Sequence, residues 1–105
     1  MRSAVAVDLR QQERREINQP AHVTIFGTAA HAVEGWLQNI GNGGAQLKLP
    51  EFVPAFSLIK IEYQDNFLLG EVVYCQDEKP DWLTGVKVEH GMFGLKSLAA
   101  ALRES

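Results

Sequence analysis

Ala45-Gln46-Leu47-Lys48-Leu49 is the stretch from which the fold can be read. Apolar and polar side chains alternate strictly, so an extended backbone sends Ala45, Leu47 and Leu49 to one face and Gln46 and Lys48 to the other. A helix would scatter the same five residues around its circumference. The pattern predicts a strand with one dry face and one wet face. The same period recurs on both sides of it. From Pro20 onward, Val23 and Ile25 face one way and His22 and Thr24 the other. His31 to Ile40 carries Val33 and Leu37 on one face, with Glu34, Trp36 and Gln38 opposite. Ser57 to Tyr63 turns Ile59, Ile61 and Tyr63 inward and Lys60 and Glu62 outward, and Trp82 to Glu89 turns Val86 and Val88 inward. Phe67 to Cys75 is apolar on both faces (Phe67, Leu69 and Val73 against Leu68 and Val72), so each side is expected to be covered.

The connections are short and made of turn formers. They are Gly27-Thr28-Ala29-Ala30, the cluster Asn39-Ile40-Gly41-Asn42-Gly43-Gly44, a loop bracketed by Pro50 and Pro54, Gln64-Asp65-Asn66, and the polar run Gln76 to Asp81. No helix lies between strands, and parallel pairing needs crossovers of roughly a dozen residues or more, so the sheet is expected to be antiparallel. Past Gly91 the period changes: Leu95, Leu98, Ala99 and Leu102 form the stripe of an amphipathic helix. The expected fold is mainly β, a six-stranded antiparallel β-barrel with a C-terminal α-helix. Residues 1–12 form a partly flexible arm, 13–90 the barrel, and 91–105 a helix that packs on the barrel or on a partner.

Charge narrows the partners. The chain of 105 residues carries a net charge of −3, which argues against DNA binding, where a basic face is expected. Four of its five arginines, Arg2, Arg10, Arg14 and Arg15, nonetheless fall in the first 15 residues. They form either a solvated arm or the place where a compact anionic ligand is met. The single cysteine, Cys75, excludes an intrachain disulfide. No apolar run approaches the ~20 residues of a membrane span, and Asp8 cuts short the Ala4-Val5-Ala6-Val7 run. A cytoplasmic protein is expected.

No constellation for catalysis can be read. His22, His31 and His90 lie in separate elements without metal-ligand spacing, and Asp65, Asp77 and Asp81 sit in polar turns. The expectation is a binding protein with no enzymatic activity, no metal and no cofactor. Two features point to a ligand. Arg14-Arg15 precedes the first strand, and a guanidinium fork can make two hydrogen bonds to a phosphate or a guanine edge. The glycine cluster lets backbone approach a ligand closely, while Asn39 offers both a donor and an acceptor.

Glu13-Arg14-Arg15-Glu16 followed by Asn39-Ile40-Gly41-Asn42-Gly43-Gly44 resembles the two signatures of PilZ domains, RxxxR ahead of the first strand and [D/N]xSxxG at the second turn. Gly44-Ala45-Gln46-Leu47-Lys48-Leu49, Gly70-Glu71-Val72-Val73-Tyr74-Cys75 and Gly85-Val86-Lys87-Val88 extend the likeness, which covers residues 13 to 90. The resemblance implies a Greek-key barrel that receives cyclic di-GMP through Arg14, Arg15, Asn39, Gly41, Gly43 and Gly44. It also implies a protein partner in motility, adhesion or exopolysaccharide control. The sequence departs from the signatures in two places. The second arginine of RxxxR is Asn18 if Arg14 is the first and Gln19 if Arg15 is, and the serine position holds Gly41. Arg10-Gln11-Gln12-Glu13-Arg14 spells RxxxR one frame early, which makes Arg10 a further candidate.

A charged hydrogen bond contributes about 1.5–3 kcal/mol and a neutral one about 1 kcal/mol. The two losses together weaken binding by roughly a hundred- to a thousandfold. Three readings stay open: a weakened cyclic di-GMP receptor, a protein–protein adaptor that keeps the barrel without the nucleotide, and an oligonucleotide-binding barrel. The adaptor reading draws on Trp36, Trp82 and the striped tail, which is also a route to a homodimer.

Overall fold

The computed structural model describes residues 15–41 and 43–94. They form six strands: β1 (Arg15–Ile25), β2 (His31–Gly41), β3 (Gly44–Leu49), β4 (Leu58–Tyr63), β5 (Asn66–Glu78) and β6 (Asp81–Met92). The strands close into a barrel in the order β1-β2-β3-β6-β5-β4, every neighbouring pair antiparallel. Closure leaves no full-length sheet edge to template aggregation. The expected helix over 91–105 lies, from residue 95 on, outside the described residues. Ahead of it, Gly91 and Met92 still belong to β6, where Met92 pairs with Phe67.

The alternation read from the sequence puts the core where expected. Val23 and Ile25, Leu37, Ala45, Leu47 and Leu49, Ile59, Ile61 and Tyr63, and Val86 all point inward and are buried. Strand β5 differs from its reading. Leu68 and Val72 are fully buried, whereas Phe67 and Leu69 are partly exposed and Val73 faces outward. Its two apolar faces are therefore unequal, and the outer one is open among the described residues. Strand β5 is also longer than expected: pairing continues from Gln76↔Leu83 to Glu78↔Asp81, which shrinks the polar turn to Lys79-Pro80.

Because all neighbours are antiparallel, the barrel has two distinct ends. One gathers the start of β1, the β2–β3 turn, the β4–β5 turn and the end of β6. The other gathers the β1–β2 turn, the β5–β6 turn and the β3–β4 loop, which must pass β6 and β5 to reach β4. That loop is fastened along its path. Phe52 stacks edge-on against Trp82 of β6, with ring centroids 5.3 Å apart. The Val53 amide donates to Cys75 Sγ at 3.4 Å, and Phe56 and Ser57 exchange backbone bonds with Val72. Val53, buried to 1% exposure, stoppers this end, a position the sequence pattern did not mark. Trp36 stands exposed on the outer wall and Trp82 is half-buried beside Phe52.

Candidate functional site

The site begins with a bulge. Leu37 pairs with Leu47, but the next matched pair is Asn39 with Gln46, so Gln38 is the extra residue on β2. An inserted residue reverses the alternation beyond it. Strict period 2 would put Asn39 inside with Leu37; instead Ile40 turns into the core opposite Ala45, and Asn39 joins Gln46 on the outer face. Asn39, Gln46, Gly85 and Tyr74 are then successive cross-strand partners along β2, β3, β6 and β5. Side chains directly opposite one another share a face. The Asn39 amide Nδ2 donates to Gln46 Oε1 at 3.1 Å, and Gln46 Nε2 donates to the Tyr74 hydroxyl oxygen at 2.7 Å. Gly85 makes room for this row: a Cβ there would overlap the Tyr74 ring, so the ring rests directly on the glycine.

A cleft of about 200 Å³ opens over the row, lined by Asn39, Gly41, Gly44, Gln46, Tyr74 and Gly85 among others. It offers a glycine floor, two amides and a phenol whose hydrogen is not used by Gln46. Planar groups with hydrogen-bonding edges are the ligands such a surface suits. Gln46, Tyr74 and Gly85 were not singled out from the sequence as site residues. Their polar and glycine positions fell on the outward half of the alternation, but only strand order shows that they are neighbours.

The backbone brings the two motif regions together. Arg15 is the cross-strand partner of Ile40, and Glu16 that of Asn39. The first strand thus begins beside the glycine turn, which the structure narrows: Asn39–Gly41 are still β2, Gly44 already starts β3, and Gly43 adopts φ 74°. Register separates the side chains. Arg15, opposite the buried Ile40, lies toward the barrel mouth, where its charge acts on the Tyr63 phenol; Glu16 shares the outer face with Asn39. Burial raises the Tyr63 pKa above the ordinary phenol value, and the Arg15 charge and a hydrogen bond with Asn66 partly offset it. Arg10 and Arg14 lie outside the described residues.

One of the two alternative departures from the arginine signature has a local cause. A second bulge falls between Glu16 and Gln19, and Asn18 sits in it at φ 51°, a left-handed conformation that asparagine tolerates and arginine resists. Its amide donates to Glu16 Oε1 at 3.5 Å. Gln19 pairs with Leu37 and is half-buried.

Two of the three histidines are engaged elsewhere. His22 Nδ1 shares a hydrogen bond with Glu34 Oε2 at 2.6 Å on the β1–β2 wall, and His31 Nε2 with Glu51 Oε2 at 2.8 Å. Among the described residues no group of three His, Cys, Asp or Glu side chains could hold a metal ion, and no helix is long and apolar enough to cross a membrane. The fold and cleft define a closed six-stranded antiparallel barrel with a polar, glycine-floored recess on its outer wall. No protein-family model matches the chain, and no curated protein matches it.

Proposed function

We propose that this barrel is a non-catalytic, PilZ-like binding module that meets an anionic guanine nucleotide of the cyclic di-GMP kind, at reduced affinity, where β1 begins beside the β2–β3 turn. The observation that carries the reading is the adjacency of Arg15 to Ile40 and of Glu16 to Asn39, which places the arginine-bearing entry next to the glycine-lined recess. An arginine fork can hold a phosphate while the amide row meets a base edge. Asn18 and Gly41 remove a guanidinium and a hydroxyl from such a contact set. With a roughly micromolar reference, the expected Kd is about 0.1–1 mM.

Calorimetric titration with cyclic di-GMP of the wild type beside an Arg14→Ala/Arg15→Ala double variant tests this. Weak saturable heat in the wild type and none in the folded double variant is expected. Absence of heat in both at millimolar ligand defeats it. A second reading, a protein–protein adaptor without the nucleotide, is favoured by one feature: Asn39, Gln46 and Tyr74 already bond one another in series, so a base must displace or share those bonds.

A further inference from the structure

We propose that the barrel end carrying the β3–β4 loop is a docking surface for a basic, amphipathic segment of a protein partner, anchored on Phe56. This surface lies at the opposite end from the β1 entry and stands whether or not a nucleotide binds there. Phe56 is 80% exposed and holds φ 74°, fixed there by its amide donating to Val72 O at 2.7 Å. A bulky side chain in the left-handed region costs free energy, and so does presenting a benzene ring to water. Glycine or asparagine would serve the turn better on both counts. Two unfavourable terms at one residue call for a compensating contact.

The ring has apolar company. Leu58, 47% exposed, lies two residues along, and its carbonyl accepts from the Phe26 amide at 2.9 Å. Phe52, 52% exposed, projects from the same loop, whereas the exposed Val73, next to the Val72 carbonyl that holds Phe56, belongs to the recess lining. Exposed apolar side chains gathered on one loop mark interaction sites, and aromatic anchors dominate their energetics.

Charge selects the partner. Residues 15–94 contain ten acidic side chains against five basic ones. Glu71 is the cross-strand partner of Leu58 on one side and of Lys87 on the other, and Asp81 adjoins Trp82; neither acid forms an ion pair with another described residue. Asp77 and Glu78 add further negative charge on the hairpin beside the Phe52–Trp82 stack, partly offset by Lys79 and Lys48. Apolar rings within an acidic rim complement a segment with an apolar stripe and lysine or arginine flanks.

The probe is a fluorescent 14-residue peptide built only of leucine and lysine in helical register, titrated into the full chain by anisotropy. A second peptide with glutamate for every lysine is the control, and amide chemical shifts locate the contact. Saturable binding of the lysine peptide is expected, with shifts at 52–58, 71 and 81–82 and at least tenfold weaker binding of the glutamate peptide. Phe56→Gly should lower affinity at least tenfold while leaving the thermal midpoint unchanged or higher, since it removes the ring and relieves the backbone. Glu71→Gln/Asp81→Asn should flatten the salt dependence. Equal binding of both peptides, unchanged affinity in Phe56→Gly, or no binding at millimolar peptide overturns the proposal. So does a concentration-dependent dimer that Phe56→Gly dissolves, which would assign the patch to a second copy of the chain.

Discussion

Tyr63 shows how one side chain ties the core to the start of β1. The folded barrel holds its phenol neutral, because burial disfavours the phenolate more than Arg15 and Asn66 favour it. Its pKa is therefore higher folded than unfolded. Its contribution to stability is complete below the unfolded value near 10 and is lost as pH rises through and beyond that value. Urea unfolding across alkaline pH should show this decline, and Tyr63→Phe should remove part of it. Arg15→Gln should push the phenol higher still, read by ultraviolet titration of phenolate absorbance; an unchanged or lower midpoint would contradict the contact. Gly85 is a second case. Gly85→Ala places a methyl inside van der Waals contact of the Tyr74 ring, which must swing away and break its bond to Gln46. Loss of Tyr74 ring contacts to Gly85 in nuclear Overhauser spectra should follow, with the barrel otherwise intact.

Strands and bulges differ in how far the sequence reveals them. Alternation at Ala45–Leu49 and Ser57–Tyr63 specifies which side chains enter the core, because burial on one face leaves no freedom of register. At Leu37–Ile40 the alternation breaks, and nothing in the residues marks Gln38 as the inserted one. Sequence reasoning thus located Asn39 and the glycines without finding their neighbours Gln46, Tyr74 and Gly85, which come from strands distant in the chain. It also read β5 as covered on both sides, since an apolar run carries no sign of which face lacks a neighbour. Deleting Gln38 tests the bulge. With the extra residue gone, Asn39 follows Leu37 in regular alternation, stays on the outer face opposite Gln46 and leaves Ile40 in the core, so the loss in urea denaturation should stay within about 1 kcal/mol. A loss of roughly 3–5 kcal/mol would show that Asn39 had been forced inward and Ile40 outward, and that Gln38 is not the inserted residue. The recess gives the converse experiment. Gly41→Ser restores the hydroxyl in the recess and should raise cyclic di-GMP affinity about fivefold, on the order of 1 kcal/mol. No gain in calorimetry would count against the PilZ-like reading.

The whole molecule is a single closed core with different surfaces at its two ends. Val23, Leu37, Leu47, Leu49, Ile59, Ile61 and Leu68 are fully buried and come from five of the six strands, so no strand packs independently of the others. Leu47→Ala should cost about 2–5 kcal/mol and lower a single cooperative transition without splitting it. Around this core the β1 entry adjoins the glycine turn at one end, and the Phe56 loop presents aromatic rings within an acidic rim at the other. Amide chemical-shift mapping of the full chain with cyclic di-GMP addresses the nucleotide reading most directly. Progressive, saturating shifts at Glu16, at 39–46 and at Tyr74 and Gly85, with the 52–58 loop unmoved, are expected. Spectra unchanged at several millimolar ligand, or shifts confined to the Phe56 end, would contradict it.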